Sequence, residues 1–457
     1  MLSRFLIAIS CLLFLLFPVT CNLNPIYAHA FGALYNLPVP FWLYLFGGGA
    51  TLMISFLFIG YFMDHKVIEI HSKSVKLRQL SSDRSIVVAI FKTFSVLLFL
   101  LTILTGLFGV NNSLLNFNMT FFWIIFLLGF YYLTALVGNT YNVINPFKIG
   151  FSGIKSKLFD YPEKLGYFPA LVFFMVLIWI ELFLGVTPFI LSLILIIYTV
   201  INSLGITLFG QKDWFKYCEA FSVLFNLLGK ISILEIKNGQ IYLRLPFIGL
   251  LEGEPTRFSL VIFILFMLSS TAFDGLHTTF VWYQFISSLP GSVALKQSLG
   301  LILSPLIFLA VYLFLINIMK LITNSNLSVT KLSAKFSFSL IPIALVYNIA
   351  HYYTLLINQG QEIFRLISDP FGFNWNLFGT ANFQNQLFLD AGFIWHSQVF
   401  LILFGHVAAV YLAHLIALEI YKDRKQAVIS QIPMLILMII YTLTGLWILS
   451  QPITTKL

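Results

Sequence analysis

Residues 41–63, FWLYLFGGGATLMISFLFIGYFM, carry no charged side chain, and the segment that follows, 64–86, carries Lys66, Lys73, Lys76, Arg78 and Arg84. A second apolar run comes next, over 87–109, and the polar loop after it, Asn111-Asn112-Ser113, has no charge. An apolar run of about 20 residues is the length of a helix that crosses the hydrocarbon core of a bilayer. In lipid every backbone N–H and C=O must be paired within its own segment, and a helix does this. Lys and Arg collect in cytoplasmic loops. The three segments therefore read as a span running inward, a basic inner loop and a span running outward.

The same alternation continues along the chain. Of 26 Lys and Arg, Arg4 precedes the first apolar run, and Lys296, Arg365 and Lys456 fall in segments placed outside. The other 22 lie in or beside five loops that alternate with nearly uncharged ones. The expected fold class is all-α: a polytopic transmembrane helix bundle of about ten spans. The spans are near 41–63, 87–109, 119–138, 167–185, 188–209, 258–283, 298–320, 337–357, 394–418 and 429–449. Residues 1–30 read as a signal peptide, with Arg4, an apolar stretch from Phe5 to Val19 and cleavage after Ala28 or Ala30. An uncleaved anchor helix is the alternative. Residues 31–457 then form a single transmembrane domain in the plasma (inner) membrane, with the mature N-terminus and the C-terminus outside. Residues 214–234 mix Lys216, Glu219 and Lys230 with Phe, Leu and Val, the pattern of an interfacial helix on the cytoplasmic side. The alternation on either side of Asn238-Gly239 predicts a short cytoplasmic β-hairpin. The long outer loop 358–393 holds an aromatic stretch, Asp369 to Asn376. It is the type of segment that forms a lid at 369–380 or a plug on the bundle mouth.

The chain is 59% hydrophobic and only 9% charged, against about 25% charged in a soluble domain. The +9 net charge sits where spans meet anionic lipid. It forms no basic face on a folded domain, so nucleic acid is not an expected partner. The expected partners are the lipid bilayer and a small-molecule or metal-ion substrate. Three cysteines, Cys11, Cys21 and Cys218, show no CxxC spacing, which argues against a disulfide framework or a structural zinc site.

Few ionisable residues lie within spans, where an unpaired charge costs several kcal/mol. Glu181 is near the outer end of the fourth span. Asp274 and His277 are three residues apart in the outer half of the sixth and share one helix face. His351 lies in the outer half of the eighth. His396 begins the ninth, with His406 near its middle and His414 toward its inner end. By this topology Glu181, Asp274, His277, His351 and His396 share one depth, with His406 just below. A carboxylate with two or three imidazoles suits a divalent transition metal such as zinc, copper or iron. A bound metal would make a nucleophile of water near neutral pH. On that reading Asp274, His277, His351 and His396 are the metal ligands, with Glu181 and His406 as the acid–base pair. Hydrogen-bonded bridges between helices, or a proton relay, would use the same groups.

Several stretches carry a resemblance: Ala28-His29-Ala30-Phe31-Gly32 with Leu37-Pro38-Val39-Pro40, Gly138-Asn139 through Asn145-Pro146-Phe147, and Trp179-Ile180-Glu181-Leu182. Others are Thr271-Ala272-Phe273-Asp274-Gly275, His351-Tyr352, Asp369-Pro370, Gly405-His406 and Ala413-His414. Together they resemble a family of prokaryotic multi-span membrane proteins, some of which bear the label fenitrothion hydrolase. The resemblance implies a prokaryotic membrane location and hydrolysis of organophosphate esters. It brings no catalytic residues with it. Three readings stay open: a metal-dependent ester hydrolase, a transporter of a metal ion or small solute, and a structural or assembly subunit of a membrane complex.

Overall fold

The computed structural model describes residues 39–63, 75–79, 84–154, 157–237, 240–252, 257–386 and 389–451. The expected signal or anchor over 1–30 and the turn at Asn238-Gly239 lie outside them. Among the described residues, nine helical segments are long and apolar enough to cross a membrane. The helices are α1 (Phe41–Phe62), α2 (Arg84–Phe108), α3 (Phe117–Val137), α4 (Phe168–Phe183), α5 (Pro188–Tyr217) and α6 (Ala220–Gly229). They continue with α7 (Phe258–His277), α8 (Phe280–Ser287), α9 (Val293–Thr323), α10 (Val329–Ser337), α11 (Ile341–Asn358) and α12 (Glu362–Ser368). The last are α13 (Ala391–Ile420), α14 (Arg424–Ser430) and α15 (Ile432–Ser450). The chain is an integral membrane protein built as an all-α bundle.

One expected span is shorter than its sequence suggests. α4 has 16 residues, about 24 Å at 1.5 Å per residue, against a hydrocarbon core of about 30 Å. Pro169 sits in its first turn and Gly185 follows its end at φ 59°, so neither end can extend as helix.

Burial orders the bundle. α7 is its axis, with 78% of its apolar window buried, against 6% for α2. α4, α9, α10 and α11 all pack on α7. The outward faces are apolar, with Phe58, Tyr61, Phe94, Phe314 and Phe400 all more than half exposed. A soluble protein rarely exposes so many large apolar side chains, and lipid is the solvent they fit.

Residues 214–234 do not form one helix on the membrane surface. α5 runs on to Tyr217, with a break at Gly210 (φ 80°, ψ 154°). The chain turns at Cys218-Glu219, and α6 then enters the bundle with eight of its ten residues buried. The physical reason is α6's composition: only Ser222 and Asn226 are polar, so it has no charged face to present to water. The buried carboxylate of Glu219 caps it, accepting from the backbone N–H groups of Phe221 (3.2 Å) and Ser222 (2.7 Å).

The expected hairpin is present as β2 (Leu234–Lys237) and β3 (Gln240–Leu243), and a further strand, β1 (Val75–Gln79), completes an antiparallel sheet in the order β1-β3-β2. β1 comes from the first basic loop. Arg244, 8% exposed, ties this sheet to the bundle. Its guanidinium donates to the carbonyls of Gly229 (3.0 Å) and Lys230 (3.1 Å) at the end of α6 and lies 3.4 Å from Glu235.

At the opposite, charge-poor end, the aromatic loop is ordered. The Asp369 carboxylate accepts from the N–H groups of Phe373 (2.8 Å) and Asn374 (2.7 Å). The carbonyls of Phe371 and Pro370 accept from Val110 (2.8 Å) and Phe117 (3.2 Å). The loop is thus pinned to the α2–α3 connection.

A carboxylate bridged by an imidazole and a phenol

Asp274 lies in the last turn of α7, and its side chain is 13% exposed. Residue 275 is glycine, which lets α15 approach this turn closely, while α11 lies at ordinary contact distance. A Cβ there would sit 2.7 Å from Ile448 Cγ2, 3.6 Å from His351 Cε1 and 3.7 Å from the Tyr347 hydroxyl. Two side chains of α11 converge on one oxygen of Asp274. His351 Nε2 is 2.9 Å from Oδ2, and the Tyr352 hydroxyl donates to the same atom. Hydrogen bonds to an ionised acceptor are about twice as strong as neutral ones.

His277 is beside them but differently engaged. Its Nδ1 donates to the backbone carbonyl of Asp274 at 2.7 Å and is 3.5 Å from Oδ1. Its ring stacks on Phe273 and meets Phe183 edge-on. A second layer joins α3, α7 and α11. Asn348 Nδ2 faces the Thr271 hydroxyl at 3.4 Å, and Tyr132 donates to the Asn348 carbonyl at 3.2 Å. Around these groups, three buried polar atoms have no hydrogen-bond partner: the hydroxyls of Ser269 and Tyr347 and Oδ1 of Asn348.

A cavity of about 40 Å³ adjoins this layer, lined on its polar side by Glu181, Ser270, Thr271, Asn348 and Tyr352. That is room for one or two waters. Glu181 is exposed at the end of α4. The apolar side includes Leu127 and Leu128 of α3, which is π-helical over Thr120–Phe130. π-helical turns are uncommon and often mark functional sites.

The six residues singled out by depth separate in space. The structure joins Asp274, His277 and His351 and sets Glu181 in the adjoining cavity. His396 is elsewhere. It is exposed, bonds the Gly392 carbonyl of its own helix at 2.8 Å, and lies 3.4 Å from the Tyr44 hydroxyl of α1. His406 is 1% exposed within α13, with Nδ1 on the Ile402 carbonyl and Nε2 without a partner. His414 is fully buried against Gln431 and the Met63 carbonyl. Among the described residues, no group of three or more His, Cys, Asp and Glu is arranged to hold a metal ion. The geometry gives the reason: the facing nitrogen of His277 is held by a backbone carbonyl, and Oδ2 of Asp274 already has two partners.

Tyr352 and Asn348 were not among the expected site residues. Neither is a metal ligand of first choice, and a search for ligands passes over them. The pairing His351-Tyr352 was the available signal. Comparisons with protein-family profiles, curated proteins and solved structures find no match for this chain.

Proposed function

We propose that the chain is a plasma-membrane carrier of a proton or small cation, with Asp274, His351 and Tyr352 as its proton-exchanging site. Its basic end faces the cytoplasm and its charge-poor end faces outward. The observation that carries this reading is the double engagement of Asp274 Oδ2 by two residues of α11 beside the Glu181 cavity. An ionised carboxylate accepts from both donors. A protonated one loses acceptor capacity at the oxygen that takes the proton. Adding a proton at Oδ2 therefore weakens a contact between α7 and α11, and the packing of the two helices becomes tied to protonation. A hydrogen bond to a charged group is worth about 1.5–3 kcal/mol, enough to shift a two-state equilibrium by about tenfold or more.

Other features support movement of a charge through the bundle. α6 is a short helix buried among longer ones, and such interrupted helices are common at carrier binding sites. Below the site, α13 carries His406, His414 and, at the basic end, Glu419. Glu419 lies 3.3 Å from Lys335. Metal-assisted ester hydrolysis, expected above, finds less support: a zinc, copper or iron ion on Oδ2 of Asp274 has to displace Tyr352 or His351.

The test is proton flux into proteoliposomes driven by an imposed membrane potential and read with an enclosed pH-sensitive dye. The wild-type chain acidifies the lumen faster than protein-free vesicles do. Asp274→Asn and Glu181→Gln insert and fold but reduce the flux to background, and a chelator leaves wild-type flux unchanged. Equal flux in wild type and Asp274→Asn contradicts the reading.

A further inference from the structure

At the basic end a cleft of about 530 Å³ opens between the α3–α4 connection, α5 and α6. Lys148, Lys212 and Lys216 line it, and no carboxylate among the described residues does. Asn139, Asn142 and Asn226 add amide groups to the wall. The walls are built from fixed pieces. Lys148 Nζ is held by Asn142 Oδ1 at 2.6 Å. Asn145 caps the short helix Pro146–Gly150 that carries Lys148, and its amide reaches Ser222 of α6 at 3.2 Å. Tyr141 also lines the cleft. It is 2% exposed, and its hydroxyl has no hydrogen-bond partner. Burial, with the nearby Lys92 ammonium, holds the Lys148 pKa below the ordinary lysine value, so a bound anion would relieve a cost already present.

We propose that this cleft binds a phosphoester group. Three ammonium groups with amide donors suit the charge and the acceptor oxygens of a phosphate. The volume is that of a small-molecule site, about 300–1,000 Å³, which leaves room for an organic substituent beside Tyr141 and Phe215. The phosphoester can belong to a soluble metabolite or to a lipid headgroup, since the cleft lies at the end of the bundle where basic residues meet the membrane surface. The site is independent of the Asp274 cluster and does not rest on proton exchange.

The experiment uses the full chain in dodecyl maltoside, a detergent without phosphate, and reads its unfolding temperature. Glycerol 3-phosphate is titrated in one arm, and phosphatidylglycerol is incorporated in the other. Lys212 and Lys216 are exposed, so Lys212→Gln/Lys216→Gln leaves the fold intact, and Lys212→Arg/Lys216→Arg keeps the charge. A saturable rise with glycerol 3-phosphate assigns a soluble ligand. A rise with phosphatidylglycerol alone assigns a lipid headgroup. In either case the Gln variant weakens the response about tenfold or more, at about 1 kcal/mol per lysine, and the Arg variant retains it. No rise with either probe, or an equal rise in the Gln variant, overturns the proposal.

Discussion

Asp274 gathers three hydrogen-bond donors around one turn of helix, and each contributes differently. His277 bonds the backbone and orients its own ring, whereas His351 and Tyr352 reach across from α11 to the carboxylate. Tyr352→Phe keeps the packing and removes one bond to a charged acceptor. The expected cost is about 1.5–3 kcal/mol, measured as a loss of stability to denaturant in detergent, with proton flux reduced but not abolished. His351→Ala removes an imidazole from beside a buried carboxylate and should cost more than Tyr352→Phe. At this scale the sequence showed Asp274 and His351 through their shared depth. Tyr352 was hidden because a tyrosine in a membrane helix is ordinary. His396 was misplaced because depth says nothing about azimuth: it sits on the α1 side of α13, bonded to Tyr44.

Within the elements, helix breaks do more than the helices' apolar runs reveal. Gly210 adopts φ 80° and ψ 154° inside α5, a conformation that only glycine takes without strain. Gly210→Ala is expected to cost about 1–3 kcal/mol and to lower the unfolding temperature without touching the Asp274 site. Gly185→Ala, in the open turn after α4 at φ 59°, separates the cost of a positive φ from that of the α5 break. The Asn238-Gly239 signal located β2 and β3 because alternation around a turn pair is a local pattern. β1 escaped because Val75-Lys76-Leu77-Arg78-Gln79 reads as a solvated basic loop until a partner strand far along the chain supplies its pairing. α6 was legible as a helix. Its burial was not, since Glu219 and Lys230 suggest a surface, whereas Glu219 turns inward to cap the helix and accept from Tyr198 at 2.6 Å.

For the whole molecule, the alternation of charged and uncharged loops determined the order of the helices, and the bundle follows it closely, with α4 too short for a full span and α7 ending at His277 before the separate helix α8. The same alternation predicts orientation. In a chain whose own cysteines are replaced, a cysteine at Ser113 should react with an impermeant maleimide from outside intact cells. One at Ser152 should react only after the membrane is opened. The reverse pattern inverts the bundle and moves the Asp274 site to the cytoplasmic half. What sequence could not supply is which faces meet. Gly275 lets α7 close on Ile448 of α15, and Gly445 lets α15 close on Tyr347 of α11, and such close approaches depend on helices distant in sequence.

Infrared difference spectroscopy of the reconstituted protein between acidic and alkaline pH reads the protonation of Asp274 directly. The expected result is a reversible carboxyl band whose intensity follows pH and which Asp274→Asn removes while Glu181→Gln leaves it in place, accompanied by changes in imidazole and phenol bands that His351→Ala and Tyr352→Phe respectively abolish. A spectrum with no titrating carboxyl, or one that Asp274→Asn leaves unaltered, would contradict it.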